Sequence, residues 1–235
     1  MLTLDRLSRR FGGLSVIVDL DLAVAEGDVL GIIGPNGAGK STLFNLIGGV
    51  LAPNGGRVLY QGRDITHMRP WHRCRMGIGR TYQIPRPFIH MSVFENLLVA
   101  AVHGRALSIV HARHEIGSIL ELTGLSNRAA LPAGRLPLLD LKRLELAKAL
   151  ALQPRLLLLD EIAGGLTEAE CDTLLAVVRQ VHAAGTTVIW IEHVIQALRR
   201  IATRLVVLHA GTLLADGPPD AVLADDRVKA IYLGV

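Results

Sequence analysis

Residues Gly34-Pro35-Asn36-Gly37-Ala38-Gly39-Lys40-Ser41-Thr42 match G-x-x-x-x-G-K-S/T, and their flanks restrict what can be built around them. The apolar run Val29 to Ile33 before the match reads as a buried strand, and Leu43 to Ile47 after it reads as the continuation of a helix. A strand, a glycine-rich turn and a helix in that order aim the N–H groups of a helix N-terminus at an anion. The three glycines let the backbone wrap closely around a polyphosphate. In that arrangement Lys40 reaches the β- and γ-phosphates and Ser41 offers its hydroxyl to Mg2+. A glycine-rich connection without a ligand is the alternative, and the flanking strand and helix argue against it.

A second constellation comes after Arg155. Leu156 to Leu159 fit a strand buried on both faces, which places Asp160-Glu161 at its carboxyl end. In parallel α/β sheets ligands bind at that edge. Asp160 is suited to hold the water shell of the metal, and Glu161 to orient or deprotonate an attacking water; two solvated loop acids are the alternative. Thr186 to Ile191 reads as another buried strand, with Glu192-His193 at its end. His193 is aimed at the same crevice, where a donor contacting a γ-phosphate stabilises charge that develops in phosphoryl transfer. Phe11, in the turn Phe11-Gly12-Gly13, either stacks on an adenine ring or covers the core as a turn residue.

The remaining pattern is mixed α/β. Leu2 to Leu7 and Leu20 to Val24 alternate as half-buried strands do, and Arg57 to Tyr60 with Gln61-Gly62-Arg63-Asp64 reads as a strand with a hairpin. A strand over Gly77 to Thr81 ends at Tyr82-Gln83, and Pro85 and Pro87 mark a non-helical connector after it. Helices are expected over Val93 to Val102, Ala112 to Thr123 and about Asp140 to Leu152, closed by Gly124 and Pro154. Three successive helices without a strand between them indicate a helical subdomain inserted into an alternating α/β chain. Thr167-Glu168-Ala169-Glu170 is a capping box for a helix to about Ala184, and Leu205 to Leu208 with Thr212 to Ala215 form a closing hairpin.

Composition bounds the function. A chain of 235 residues, half of them hydrophobic, can bury one or two adjoining cores. The net charge of +4 is scattered, so a nucleic-acid stripe is not expected. Cys74 and Cys171 are far apart and have neither metal-ligand nor disulfide spacing, which suits a reducing cytoplasm. No apolar run approaches the ~18 residues of a membrane span, so a membrane role would come through a partner.

Together, the GPNGAGKST loop, Gln83, the LLLLDE strand end and a His after the next strand resemble the ATP-binding subunit of an ABC transporter across the whole chain. Further features resemble its branched-chain amino acid type: Arg80-Thr81-Tyr82-Gln83 with Pro85-Arg86-Pro87-Phe88, the run Met91 to Leu98, Ile191-Glu192-His193 and the tail Ala230-Ile231-Tyr232-Leu233-Gly234. The resemblance implies a RecA-like P-loop NTPase core with an antiparallel β subdomain (1–82 and 153–215), a helical subdomain (83–152) and a tail (216–235). It also implies ATP and Mg2+ as ligands, with Ser41, Gln83 and Asp160 toward the metal and Phe11 on adenine. Gln83 would couple the nucleotide site to the permease, beside Glu161 and His193. The implied partners are a second ATPase subunit, a pair of membrane permeases and, indirectly, a soluble binding protein, at the cytoplasmic face of a bacterial membrane.

Two stretches depart from the family. Counting back from Arg143 and Ala149-Leu150, the signature LSGGQ falls on Leu136-Pro137-Leu138-Leu139-Asp140, with neither glycine nor the serine, and Ile162 and Thr167 stand where proline and Asp or Asn are usual. Pro137 lacks hydroxyl and N–H, Leu138 and Leu139 add bulk, and Asp140 is expected to oppose the phosphate held by the other subunit. The expectation is an asymmetric heterodimer in which this chain's own ATP is hydrolysed and the partner's turns over slowly. A weakly hydrolysing regulatory subunit is the alternative class; a soluble repair or translation ATPase would need tandem cassettes or a coiled-coil insert. The cargo stays open among leucine, urea, short amides and aromatic acids.

Overall fold

The computed structural model describes residues 1–105 and 107–233, so Gly234 of the tail lies outside the described residues. The chain falls into two compact units, Met1–Arg73 with Thr187–Val235, and Cys74–Thr186. In chain order the first segment carries β1 (Leu2–Phe11), β2 (Leu14–Val24), β3 (Val29–Ile33), α1 (Lys40–Ile47), β4 (Gly55–Tyr60), β5 (Arg63–Asp64) and α2 (Pro70–Arg75), the last running through the unit boundary. The second unit carries β6 (Ile78–Arg80), α3 (Val93–Arg105), α4 (Ile109–Leu122), α5 (Leu138–Leu150), β7 (Leu156–Asp160) and α6 (Glu168–Ala183). The chain then returns to the first unit with β8 (Thr187–Ile191), α7 (Ile195–Arg199), β9 (Arg204–His209), β10 (Thr212–Gly217), α8 (Pro219–Ala224) and α9 (Asp226–Leu233).

In the first unit an antiparallel sheet has the order β2-β1-β4-β5. Its pairs Leu2↔Val24, Leu4↔Leu22 and Leu7↔Leu20 bury one face. Both strands extend beyond the alternating stretches because the register shifts after Leu4 and Leu7, with Arg6 (φ 45°) and Asp19 (φ 39°) in left-handed conformations. Bulges of this kind switch the face of every later residue and hide the strand from a period-two reading. The Asp21 carboxylate accepts from the Arg6 N–H at 2.7 Å and the Ser8 hydroxyl from the Asp19 N–H at 2.9 Å. Gln61 and Gly62, both with positive φ, close the β4–β5 hairpin as a two-residue turn must. In the same unit β3, buried throughout, pairs in parallel with β8 on one side and β9 on the other, and β10 returns antiparallel to β9.

In the second unit β6 and β7 pair in parallel, Ile78↔Leu156 through Arg80↔Leu158. Helices α3, α4 and α5 enclose Val93, Leu97, Ile116, Leu120, Leu144 and Ala147. The proline-rich connector before them is ordered by the buried Asn96, whose Oδ1 accepts from the Phe88 N–H at 2.8 Å and whose Nδ2 donates to the Phe88 carbonyl at 3.1 Å. The capping box of α6 is present: Thr167 Oγ1 accepts from the Glu170 N–H, and the Glu170 carboxylate accepts from the Thr167 N–H at 2.8 Å. These Thr167 donors hold the Glu170 carboxyl below its usual range.

Helix α2 is not legible in the sequence, because six residues carry too little period. Its Arg73 is 1% exposed and has backbone carbonyls as partners. Nη1 donates to Leu46 and Ile47 at 2.7 and 2.8 Å, Nη2 to Thr66 at 2.9 Å and Nε to Met68 at 3.0 Å. Leu46 and Ile47 end α1, so a cation sits where the last helical carbonyls need donors. Burial pulls the Arg73 pKa down to about 10. Arg73→Met leaves these acceptors unpaired and should lower stability by about 3 kcal/mol, read from the denaturant midpoint, with Arg73→Lys recovering part of it.

Candidate functional site

The first unit holds the glycine-rich loop. Gly39 is the N-cap of α1 with φ 104°, and no side chain caps the first turn. A Cβ at Gly39 would stand 2.7 Å from the Val16 carbonyl oxygen, and one at Gly34 2.2 Å from that of Leu208. The loop is thus seated on neighbouring backbone, and no side chain caps the α1 N-terminus, an arrangement suited to an anion. Lys40 is buried, and its Nζ spans the loop by donating to the carbonyls of Gly34 at 2.7 Å and Pro35 at 3.1 Å. Ser41 is exposed and Thr42 half-buried.

Phe11 is exposed at the end of β1, with the Arg9 guanidinium 4.6 Å from its ring centroid. At the end of β8 the fully buried Glu192 organises the turn that presents His193. Its Oε2 accepts the N–H groups of His193 at 2.9 Å and Val194 at 3.3 Å and lies 3.4 Å from His193 Nδ1, while the imidazole itself is mostly exposed. Sequence reasoning misses Glu192 as a site residue; an acid at the carboxyl end of a buried strand is its only signal.

The second unit brings Gln83 and the acid pair together. Asp160 ends β7 and is buried; its N–H donates to Thr81 Oγ1 at 3.1 Å and its Oδ2 accepts from Arg80 Nη2 at 3.1 Å. Glu161 comes next at φ 47°, a left-handed conformation that is strained for this residue type. It is held at both ends: Gln83 Nε2 donates to its Oε2 at 2.6 Å and Lys142 Nζ to its carbonyl at 3.2 Å. Sequence reasoning also misses the roles of Arg80 and Lys142, since nothing local marks a cation whose partner lies far along the chain.

The stretch Leu136 to Asp140 opens α5, with Pro137 as N-cap and without a side-chain cap; Leu138 is exposed and Leu139 half-buried. The charge expected of Asp140 is corrected by its environment. Asp140 is buried and paired with Arg143 at 3.2 Å and Arg128 at 3.4 Å, so its carboxylate is compensated within its own subunit. A carboxylate so paired does not present the unopposed charge expected of it.

In chemical terms the first unit offers a lysine, a hydroxyl and uncapped N–H groups, a set that fits polyphosphate. The second offers a carboxylate pair, and hydroxyl and carboxylate oxygens are the hard donors that suit Mg2+.

The ABC transporter family matches residues 17–164, and the branched-chain amino acid ATP-binding cassette transporter family matches residues 212–235. The high-affinity branched-chain amino acid transport ATP-binding protein LivG of Salmonella typhimurium is 36% identical over 253 residues, covering 100% of this chain and 98% of that protein. The corresponding BraF of Pseudomonas aeruginosa is 36% identical over 250 residues with the same coverage. Among solved structures, a nucleotide-free ATP-binding cassette from an ABC transporter superimposes with TM-score 0.92 at 30% identity, covering 100% of this chain and 99% of the other. An ADP conformation of such a cassette gives 0.91 at 31% identity with the same coverage. The chain therefore belongs to the ABC transporter family, as an ATP-binding subunit of the branched-chain amino acid type.

Proposed function

We propose that this subunit binds ATP with Mg2+ on Gly34 to Thr42 and hydrolyses it to drive uptake of branched-chain amino acids or related small solutes. The observation that carries the hydrolytic reading is Glu161, kept in a strained conformation by Gln83 and Lys142. Strain of that kind persists where surrounding structure over-determines it, as at reacting centres. The cargo class is supported by the names of the relatives, LivG and BraF.

In this reading Lys40 turns from the Gly34 and Pro35 carbonyls to the β- and γ-phosphate oxygens, and the N–H groups at the start of α1 hold the phosphates in place. Ser41, Gln83 and Asp160 are the residues that the family resemblance would assign to Mg2+. When bound, that ion neutralises phosphate charge and aligns the leaving group. Glu161 takes the proton of the attacking water, and His193, oriented by Glu192, donates to the γ-phosphate as its charge grows. Phe11, backed by Arg9, stacks on adenine. The partners are a second ATPase subunit, the permease pair and, through them, a binding protein, with the chain peripheral to the cytoplasmic face of the membrane. Among the described residues no helix is long and apolar enough to cross a membrane.

Lys40→Ala should weaken ATP binding by roughly 10²-fold, since charge-assisted hydrogen bonds contribute about 1.5–3 kcal/mol each. Titration with ATP checks this, and unchanged affinity sinks the phosphate-loop assignment. Glu161→Gln should keep ATP bound and trap ATP-bound dimers while turnover collapses, which single-turnover kinetics resolve from binding. Full turnover in that variant would remove Glu161 from the mechanism, whereas a parent chain that binds ATP and scarcely hydrolyses it would favour the regulatory reading, for which the altered signature is the supporting observation. With an intact-signature partner, the two sites should also differ. Pro137 removes a hydroxyl donor, a loss of about 10²-fold at the partner's ATP, whereas this chain's ATP keeps its full complement. Reconstituting both subunits and disabling each catalytic glutamate separately tests the asymmetry; equal losses of ATPase activity contradict it.

A further inference from the structure

The run Arg80-Thr81-Tyr82-Gln83 acts as one clamp on the acidic end of β7. Arg80 Nη2 donates to Asp160 Oδ2 at 3.1 Å, and the two side chains are only 12% and 7% exposed. Thr81 binds the backbone of the same strand, its N–H donating to the Leu158 carbonyl at 2.9 Å and its Oγ1 accepting from the Asp160 N–H. The Tyr82 ring lies between two guanidinium groups, Arg80 at 5.1 Å and Arg86 at 4.9 Å from its centroid. Gln83, next in sequence, holds Glu161. Arg80 therefore touches partners of different kinds: the carboxylate assigned above to the magnesium shell and the ring beside the glutamine that holds Glu161.

We infer that Arg80 is a positioning residue that counter-charges Asp160 and so sets the magnesium demand of the nucleotide site. This rests on the reading that Asp160 serves the metal. Two cations drawn to one buried carboxylate repel each other with little solvent screening, so Asp160 with its guanidinium binds magnesium more weakly than Asp160 alone. Movement of Asp160 toward magnesium loosens the ion pair and leaves the Arg80 guanidinium on the Tyr82 ring, which a cation favours. Tyr82 then carries the state of Asp160 to the residue next to it, Gln83.

The experiment measures binding of a non-hydrolysable ATP analogue to the full chain by calorimetry across a series of free Mg2+ concentrations, without any turnover. The variants are Arg80→Met, which keeps bulk without charge, Arg80→Lys, which keeps charge, and Asp160→Asn. For Arg80→Met the Mg2+ midpoint should fall by about tenfold, with Arg80→Lys near the parent chain, because only the charge opposes the ion. Thermal stabilisation by Mg2+ with the analogue should also be larger in Arg80→Met than in the parent, since tighter binding to the folded state raises its stability. A lower melting temperature with an unmoved or raised Mg2+ midpoint makes Arg80 merely structural and overturns the inference. If Arg80→Met does not fold, Arg80→Gln makes the same test. If Asp160→Asn also leaves the midpoint in place, the assignment of Asp160 to the metal falls and takes the inference with it. A midpoint moved by Asp160→Asn and not by the Arg80 variants overturns the role of Arg80 alone.

Discussion

Helix α1 is eight residues long, too short to be stable on its own, and the nucleotide chemistry of the first unit depends on its being fixed at both ends. Its N-terminus is uncapped by side chains, which in the proposed reading lets its N–H groups meet phosphate. Its C-terminus has no such duty, and Arg73 satisfies the carbonyls of Leu46 and Ile47 there while tying them to Thr66 and Met68. Between the ends, Leu43, Phe44, Leu46 and Ile47 are fully buried, so hydrophobic packing holds the helix axis. A cation at one end and an anion at the other both agree with the helix dipole.

The second unit solves a different problem, that of keeping acids ready at the end of an entirely apolar strand. Leu156 to Leu159 are fully buried and fix β7, so Asp160 and Glu161 have little freedom in where their backbones lie. The left-handed Glu161 would relax were it not held through its carbonyl by Lys142 and through its carboxylate by Gln83. Lys142 comes from α5, the helix opened by the altered signature, and Gln83 from the connector after β6. Glutamate geometry is thereby linked to both segments, and a displacement of either one reaches Glu161 directly.

How much of this is legible in the sequence depends on the range of the interactions. Strands β3, β7 and β8 are readable because continuous burial leaves a continuous apolar run, and the phosphate loop because its chemistry is local. The outer halves of β1 and β2 are hidden by bulges at Arg6 and Asp19, and α2 by its brevity. In the site, Gln83 is found by resemblance, while Arg80, Lys142 and Glu192 emerge only from the fold. Arg80 acts on a residue 80 positions away, and a lysine inside a helical pattern reads as a solvated face until its partner is seen.

Asp140 shows how an intrasubunit contact can alter an intersubunit argument. Read along the chain, an acid at the end of the signature position adds charge where a phosphate should approach. In the fold that acid is buried against Arg128 and Arg143, a compensation needed because an unpaired buried carboxylate is strongly destabilising. What distinguishes the stretch is then the loss of one donor residue and the presence of bulk: Pro137 has neither hydroxyl nor N–H, and Leu138 projects into solvent. Both features act at close range, so in the proposed dimer they weaken a phosphate contact only when the opposing subunit is near. The asymmetry proposed for two composite sites therefore rests on hydrogen-bond geometry at the α5 N-terminus, with long-range repulsion contributing little.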